Sequence, residues 1–433
     1  MGIGEYYIPL AAYVGCIVAG LLTIFFKTEL ALMYLVLFLP LQNIMQKMHI
    51  FPLGNQFIDI LVVSLIFGWL IRGRSEKGGL FEKTPLNFLL VLYMGITFVS
   101  LLWGFSYMDT PISVTDPRFK DWKNLALLPV LYFITVNNTR DPKWMKLILV
   151  TALFSILLTD LFFYKEFRWY KQWHYSHEMR IGGPFYYLGP NELGAFFAQY
   201  GVLVLGLVVF APTKFDRILF GFVFATNIYC LMYSFSRAAY FALPIGVALV
   251  LFLKNKKLLI LFIVLLVLSF KFLPVSVIDR INMTSADEEE RVEGQTFDSS
   301  TEARFTLAKK ALDLFKESPI LGVGFRNFSA LTGKDTHNNY AKVLAESGII
   351  GFAVYILVYL MSIKMGWRLY KASNDHLMKG LGLGFIGCVI VNILVNITHD
   401  NWSYLNLMGI YWVVLGLVVR NVIDIQQVKT GGQ

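Results

Sequence analysis

The chain has 433 residues, 56% of them hydrophobic and only 15% charged, and its mean hydropathy is +0.59. Soluble domains carry about a quarter charged residues, so this composition excludes an ordinary soluble protein and indicates an all-helical, polytopic membrane protein. The net charge of +9 resides largely in short loops between apolar runs, where it orients spans and does not signal nucleic-acid binding.

Apolar runs at 8–26, 30–45, 58–71 and 87–103 open the chain, followed by 125–136, 145–164, 193–210, 218–233 and 238–253. Runs at 258–272, 348–365, 381–397 and 405–419 complete it. The prediction is about 12–13 spans, since 30–45 and 125–136 are short for the roughly 20 residues a crossing helix needs. The first run lacks a basic leader and a small-residue cleavage site and is read as a retained helix. Cys16, Cys230 and Cys388 lie inside apolar stretches and read as small core residues.

Basic residues fix the orientation. Arg72, Arg74, Lys77 and Lys83 share one loop; Arg140, Lys143 and Lys146 share another. Lys214 with Arg217, then Lys254, Lys256 and Lys257, and then Lys364, Arg368, Lys371 and Lys379 make three more. These five loops fall on one side, which the positive-inside rule makes cytoplasmic. Arg118, Lys120 and Lys123 sit on the opposite side against the bias. The expected organisation is an N-terminal transmembrane bundle (1–273), an outer loop domain (274–347), and C-terminal helices with a cytoplasmic tail (348–433).

The outer segment has internal order. Its acidic stretch, Asp287 to Glu293, reads as a solvated loop, with at most a loosely held cation at Asp287–Glu290. Ser299 and Glu302 form a capping-box pattern. Phe305, Ala308, Leu312 and Phe315 then recur at helical spacing, predicting an amphipathic helix over 301–317 that lies on the membrane surface or on the bundle.

The polar chemistry concentrates here. His337, in Thr336-His337-Asn338-Asn339-Tyr340, reads as a first-turn residue of a helix capped by Asp335 or Thr336. The helix dipole there favours the neutral imidazole that a general base requires, while a plain interface histidine is the alternative. Arg237, at the mouth of two spans, either snorkels to the interface or holds phosphate with its forked donors. Arg304 and Arg180 pose the same choice. His399-Asp400 either orients His337 or marks an interface. His174 and His177 lie among Trp169, Tyr170, Trp173 and Tyr175, an aromatic belt that also suits sugar faces. No metal-ligand spacing stands on the outer side, and no cofactor is expected.

Several motifs together resemble one family. They are Ser318-Pro319-Ile320-Leu321-Gly322-Val323-Gly324, His337-Asn338-Asn339-Tyr340 and Leu344-Ala345-Glu346-Ser347-Gly348-Ile349-Ile350-Gly351. Preceded by Pro190-Asn191-Glu192-Leu193-Gly194 and Ser234-Phe235-Ser236-Arg237, they resemble the O-antigen ligase and polymerase superfamily of bacterial surface polysaccharide assembly. The resemblance implies a GT-C-like, metal-independent glycosyltransferase of the inner membrane with a periplasmic active site. It implies a glycan donor on undecaprenyl pyrophosphate and, as first reading, a lipid A-core acceptor in lipopolysaccharide biosynthesis. By motif position His337, Arg237 and Arg304 would be catalytic, and Arg180, Asn191, Asn338 and Tyr340 would contact substrate. Glu346 and His399 would support them, although nine helical steps of about 100° turn Glu346 away from His337. The implied step is an inverting displacement, with His337 taking the acceptor proton and the arginines stabilising the departing pyrophosphate. Alternatives are an O-antigen polymerase, a protein O-oligosaccharyltransferase and, outside enzymes, a lipid-linked glycan flippase.

Overall fold

The computed structural model describes residues 3–73, 80–167, 174–185, 188–283 and 299–431. Arg74, Lys77, Trp169, Tyr170, Trp173 and the acidic run from Asp287 to Glu293 lie outside the described residues, as do the capping-box side chains of Ser299 and Glu302. Every regular element among the described residues is helical. In chain order the helices are α1 (Ile3–Phe25), α2 (Thr28–Phe38), α3 (Gln42–Lys47), α4 (Phe57–Gly73), α5 (Asn87–Tyr107) and α6 (Pro117–Asn138). Next come α7 (Pro142–Phe167), α8 (Pro190–Val209), α9 (Lys214–Tyr233), α10 (Arg237–Lys254), α11 (Lys256–Ser269) and α12 (Val275–Asn282). The last five are α13 (Ser299–Glu317), α14 (Asn327–Thr332), α15 (Asn339–Ala372), α16 (His376–Val395) and α17 (Leu405–Gly431).

Among the described residues ten helices are long and apolar enough to cross a membrane, or up to 12 if each of two bent pairs counts as one span. This lowers the expected count, for identifiable reasons. The run 30–45 breaks by 98° between α2 and α3, and the run 258–272 leads into α12 through a 103° bend. The run 125–136 belongs to α6, whose ends carry Asp121, Lys123, Asn137 and Asn138. Lipid exposure is plainest at α11, which has no buried residue, a pattern stable only where the surroundings are apolar.

The centre of the bundle is α8 against α16. A Cβ at Gly206 would lie 2.4 Å from the Gly384 Cα, so the glycines of both helices permit close backbone approach. Polar side chains fix the register where lipid-like surroundings offer no competing water. Asn392 donates to Gln199 (2.6 Å) and accepts from Tyr359 (2.6 Å), and Tyr359 meets Tyr355 at 3.0 Å. Asn339 donates to Tyr355, which carries the network up to the start of α15.

The glycine motifs of the outer segment have a backbone explanation. Gly348 is non-helical inside α15 (φ 61°), and this kink frees backbone groups on both sides. The segment 319–324 pairs with them: Val323 N donates to Ala345 O (2.8 Å), Gly324 N to Glu346 O (3.0 Å) and Ile349 N to Pro319 O (2.9 Å). Such contact leaves no room for side chains. A Cβ on Gly348 would lie 2.2 Å from Ile320 O, and one on Gly324 2.1 Å from the Gly104 Cα. The end of α5 clamps the same loop, through Trp103 Nε1 to Gly322 O (2.9 Å) and Asn327 Nδ2 to Gly104 O (2.8 Å).

The amphipathic helix forms, but with a different buried face. Phe305 and Leu312 are exposed, while Leu307 and Ala311 are buried against Phe328, Ala341 and Ala345. Thus α13 lies over the bundle, on the first turns of α15. Gly324→Ala is expected to cost about 1–3 kcal/mol of stability through overpacking, whereas Gly221→Ala, with open space around its Cβ position, should leave the thermal midpoint unchanged. Thermal unfolding of the purified variants in detergent measures the contrast.

Candidate functional site

His337 does not occupy a helical turn. Asn338 is the N-cap of α15, its side chain accepting from Ala341 N (3.0 Å), and His337 sits just before it. Thr336 closes a tight loop around His337: its Oγ1 donates to Asn338 O (2.9 Å) and accepts from Asn338 N (3.1 Å). Asn339 N is then anchored on Asn396 O (2.9 Å) and His399 O (3.1 Å). With both neighbours held, His337 is forced into the left-handed region (φ 51°) and projects as an exposed side chain. Such a conformation costs about 1–3 kcal/mol for a residue other than glycine and tends to cluster at functional sites. Phe235, in the Ser-Phe-Ser-Arg motif, and Arg326 are also left-handed, at 51° and 63°.

The charged groups converge on this loop. His399 lies within electrostatic range of Arg304, His337 and Arg180. Glu192, at the start of α8, lies within range of His337 and Arg180. Arg180 donates to Asn191 Oδ1 (2.7 Å), so the two residues of lesser motif support are joined to each other. Arg237 begins α10 and lies within range of Arg280, which is itself within range of Arg180. The segments bearing His337, Arg180, Arg237, Arg304 and His399 are therefore brought to one mouth of the bundle.

Arg280 was not singled out by sequence. It is buried on α12, donates to Phe235 O (3.2 Å) and lies 5.1 Å from the Tyr175 ring centroid. Its signal was available: Ser276, Val277 and Arg280 share one helical face of an eight-residue helix, so the arginine lies on the buried stripe. Neither Arg180 nor Arg280 has a carboxylate at ion-pair distance among the described residues. Two guanidinium groups so placed form a ready anion site.

Other predicted residues also make bonds within the fold. The Tyr340 hydroxyl donates to Ile393 O (2.8 Å), and the Asn338 amide is engaged as a cap. Glu346 is buried on α15, within range of Lys342, Arg326 and Asp335. Behind the loop these groups belong to an ionic cluster. Lys342 pairs with Asp400 and with Asp335 (3.0 Å), while Arg326 meets Asp121 (3.0 Å), Asp335 (3.8 Å) and Asp400 (4.0 Å). Asn339, Lys342 and Glu346 are spaced three and four apart, which places one polar stripe on the inner face of α15. Among the described residues no group of three His, Cys, Asp or Glu side chains converges on a point suited to a metal ion.

Fold and site together define a polytopic membrane protein with an arginine-rich mouth that presents a histidine. Residues 220–356 match the family described as O-antigen ligase, a resemblance over that stretch of the chain. An uncharacterized protein of Haemophilus influenzae is 26% identical over 235 residues, 48% of this chain; the chain spans 58% of that relative's length.

Two outcomes follow from the electrostatics. Burial first, then Arg304, His337 and Arg180, lower the His399 pKa to about 3. Its ordinary value is about 6.5, so its contribution to stability is complete above pH 6.5 and is lost progressively as pH falls towards 3. Asp335 adds an acid limb only below the ordinary carboxylate range: burial would raise its pKa, but Lys342 and Arg326 outweigh this and hold it low. His399→Gln should therefore flatten the fall in thermal midpoint between pH 6.5 and about 4. Lys342→Met, which leaves Asp335 and Asp400 only their longer contacts to Arg326, should cost about 3–5 kcal/mol, and adding Asp400→Asn should restore part of that loss in the same thermal assay.

Proposed function

We propose that this chain is an O-antigen ligase: an inverting, metal-independent glycosyltransferase that moves a glycan from undecaprenyl pyrophosphate to a hydroxyl of a lipid A-core oligosaccharide. The observation that carries this reading is the convergence of Arg180, Arg237, Arg280 and Arg304 with His337 and His399 on one mouth. A pyrophosphate leaving group needs several fixed cations, and forked guanidinium donors match its oxygens. An exposed imidazole held by a strained loop beside those cations is suited to take a proton.

The step balances in one displacement. The acceptor hydroxyl oxygen attacks the anomeric carbon, the bond from that carbon to the pyrophosphate oxygen breaks, and configuration inverts. His337 takes the hydroxyl proton, and the bond pair leaves with undecaprenyl pyrophosphate, whose charge the arginines stabilise. Membrane placement follows the loop charges. The site lies at the end opposite the basic loops at Arg140–Lys146, Lys214–Arg217 and Lys254–Lys257, so the positive-inside rule supports a periplasm-facing site in the inner membrane.

Purified protein in phospholipid nanodiscs, given lipid-linked glycan and lipid A-core, tests the reading. Wild type is expected to form a new glycosidic bond, and His337→Ala and Arg237→Ala are expected to lose at least about 100-fold in rate, the scale of removing one preorganised charge. Elongation of lipid-linked glycan without core transfer would make the chain a polymerase, and transfer to a protein hydroxyl would make it a protein transferase. Movement of labelled donor across the bilayer with no bond formed would replace the enzyme by a flippase.

A further inference from the structure

A second polar hollow lies away from the arginines. It is a cleft of about 470 Å³ between α3, the first turns of α4 and α6, and the start of α17. It opens at the same end of the molecule as His337, because Asp121 in the first helical turns of α6 pairs with Arg326, and Lys120, Lys123 and Asn124 beside it line the cleft. The turn 396–404 and the start of α17 connect the two places: His399 faces the arginine mouth, and Asn406 lines the cleft.

The lining is unusual in its chemistry. Five amide side chains line the cleft, Gln42, Gln46, Asn55, Asn124 and Asn406, beside apolar residues that include Ile58 and Leu405. Three of these amides have buried polar atoms with no hydrogen-bond partner among the described residues: Gln42 Oε1, Gln46 Nε2 and Asn406 Nδ2. Asn406 is itself only 7% exposed. Native folds pair nearly all such groups, and an orphaned one calls for an explanation. Charge is nearly neutralised here, since Lys123 holds both oxygens of Asp59 at 2.9 and 2.7 Å. The cleft therefore does not repeat the anion site.

We propose that this cleft is a binding subsite for a neutral saccharide. Each amide offers donors and an acceptor, which matches sugar hydroxyls that need both, while the apolar residues beside them suit the C–H face of a pyranose ring. A point-charge ligand would find no uncompensated partner except Lys120, and a purely apolar one would leave the orphaned amides unsatisfied. The inference deepens the transferase reading and rests on it for the source of the sugar, which is either the acceptor oligosaccharide or the glycan of the donor.

The experiment uses the full chain in phosphatidylethanolamine–phosphatidylglycerol nanodiscs, which avoid sugar-headed detergents. Saturation-transfer NMR is recorded with maltotriose and chitotriose. Wild type is expected to transfer saturation to at least one of the two, and Gln46→Leu combined with Asn406→Leu is expected to weaken that signal at least about fivefold. The thermal midpoint should be unchanged or raised, because replacing an unpartnered buried amide by an apolar side chain removes no hydrogen bond. No signal from wild type, an equal signal from the variant, or a lowered midpoint would overturn the proposal. In the transfer assay the same variant should raise KM several-fold for acceptor alone or for donor alone, which identifies the source, with kcat less affected; a change in neither overturns the subsite. Saccharide binding lost in the variant, from a wild type that forms no glycosidic bond, would retain the subsite and reject the transferase.

Discussion

The Lys342 ammonium, buried between Asp400 and Asp335, is the constraint on which the rest of the site depends. Those carboxylates come from two different connecting segments, one preceding α15 and one preceding α17. A buried charge without its partner is far more costly than an apolar residue, so the cluster is satisfied only when both segments dock on the first turns of α15. Arg326 extends the requirement to the glycine loop and, through Asp121, to α6. One electrostatic condition thus closes the outer end of the bundle around the His337 loop.

That closure explains how strain is held. His337, Phe235 and Arg326 all occupy left-handed backbone, and each is flanked by residues tied to other elements. Thr336 and Asn339 hold the ends of the His337 loop; Arg280 holds Phe235 by its carbonyl. The reward is preorganisation. Side chains fixed before substrate arrives do not have to be reorganised as charge develops, and in a partly apolar setting their electrostatic effect is stronger than in water.

Much was legible in the sequence. Hydropathy located the long helices, and motif spacing pointed to His337, Arg237, Arg180 and Arg304, which the fold brings to one mouth. The helical angle drawn between His337 and Glu346 does not apply, because His337 precedes the N-cap of α15. What escaped had physical causes. Hydropathy registers apolar length and is blind to direction, so the sharp bend after α2 looked like a single run. In α13 apolar residues at 305, 307, 308, 311, 312, 314 and 315 make two overlapping stripes. Only the small Ala341 and Ala345 on α15 decide that Leu307 and Ala311 go inward. Motif position could not show that the Asn338 side-chain oxygen caps α15 or that the Tyr340 hydroxyl reaches Ile393 O on α16.

The sequence by itself determined a helical membrane protein, the side that its basic loops favour, and the arginines and histidines of the mouth as residue types, since composition, charge bias and short motifs are local properties. Tertiary structure alone decided that Arg280 joins the arginines, that Lys342 and Asp400 close the end of the bundle, and that amides from α3, α6 and α17 share one cleft. These groups stand tens to hundreds of positions apart along the chain. Their meeting follows from burial and pairing, which no local pattern encodes.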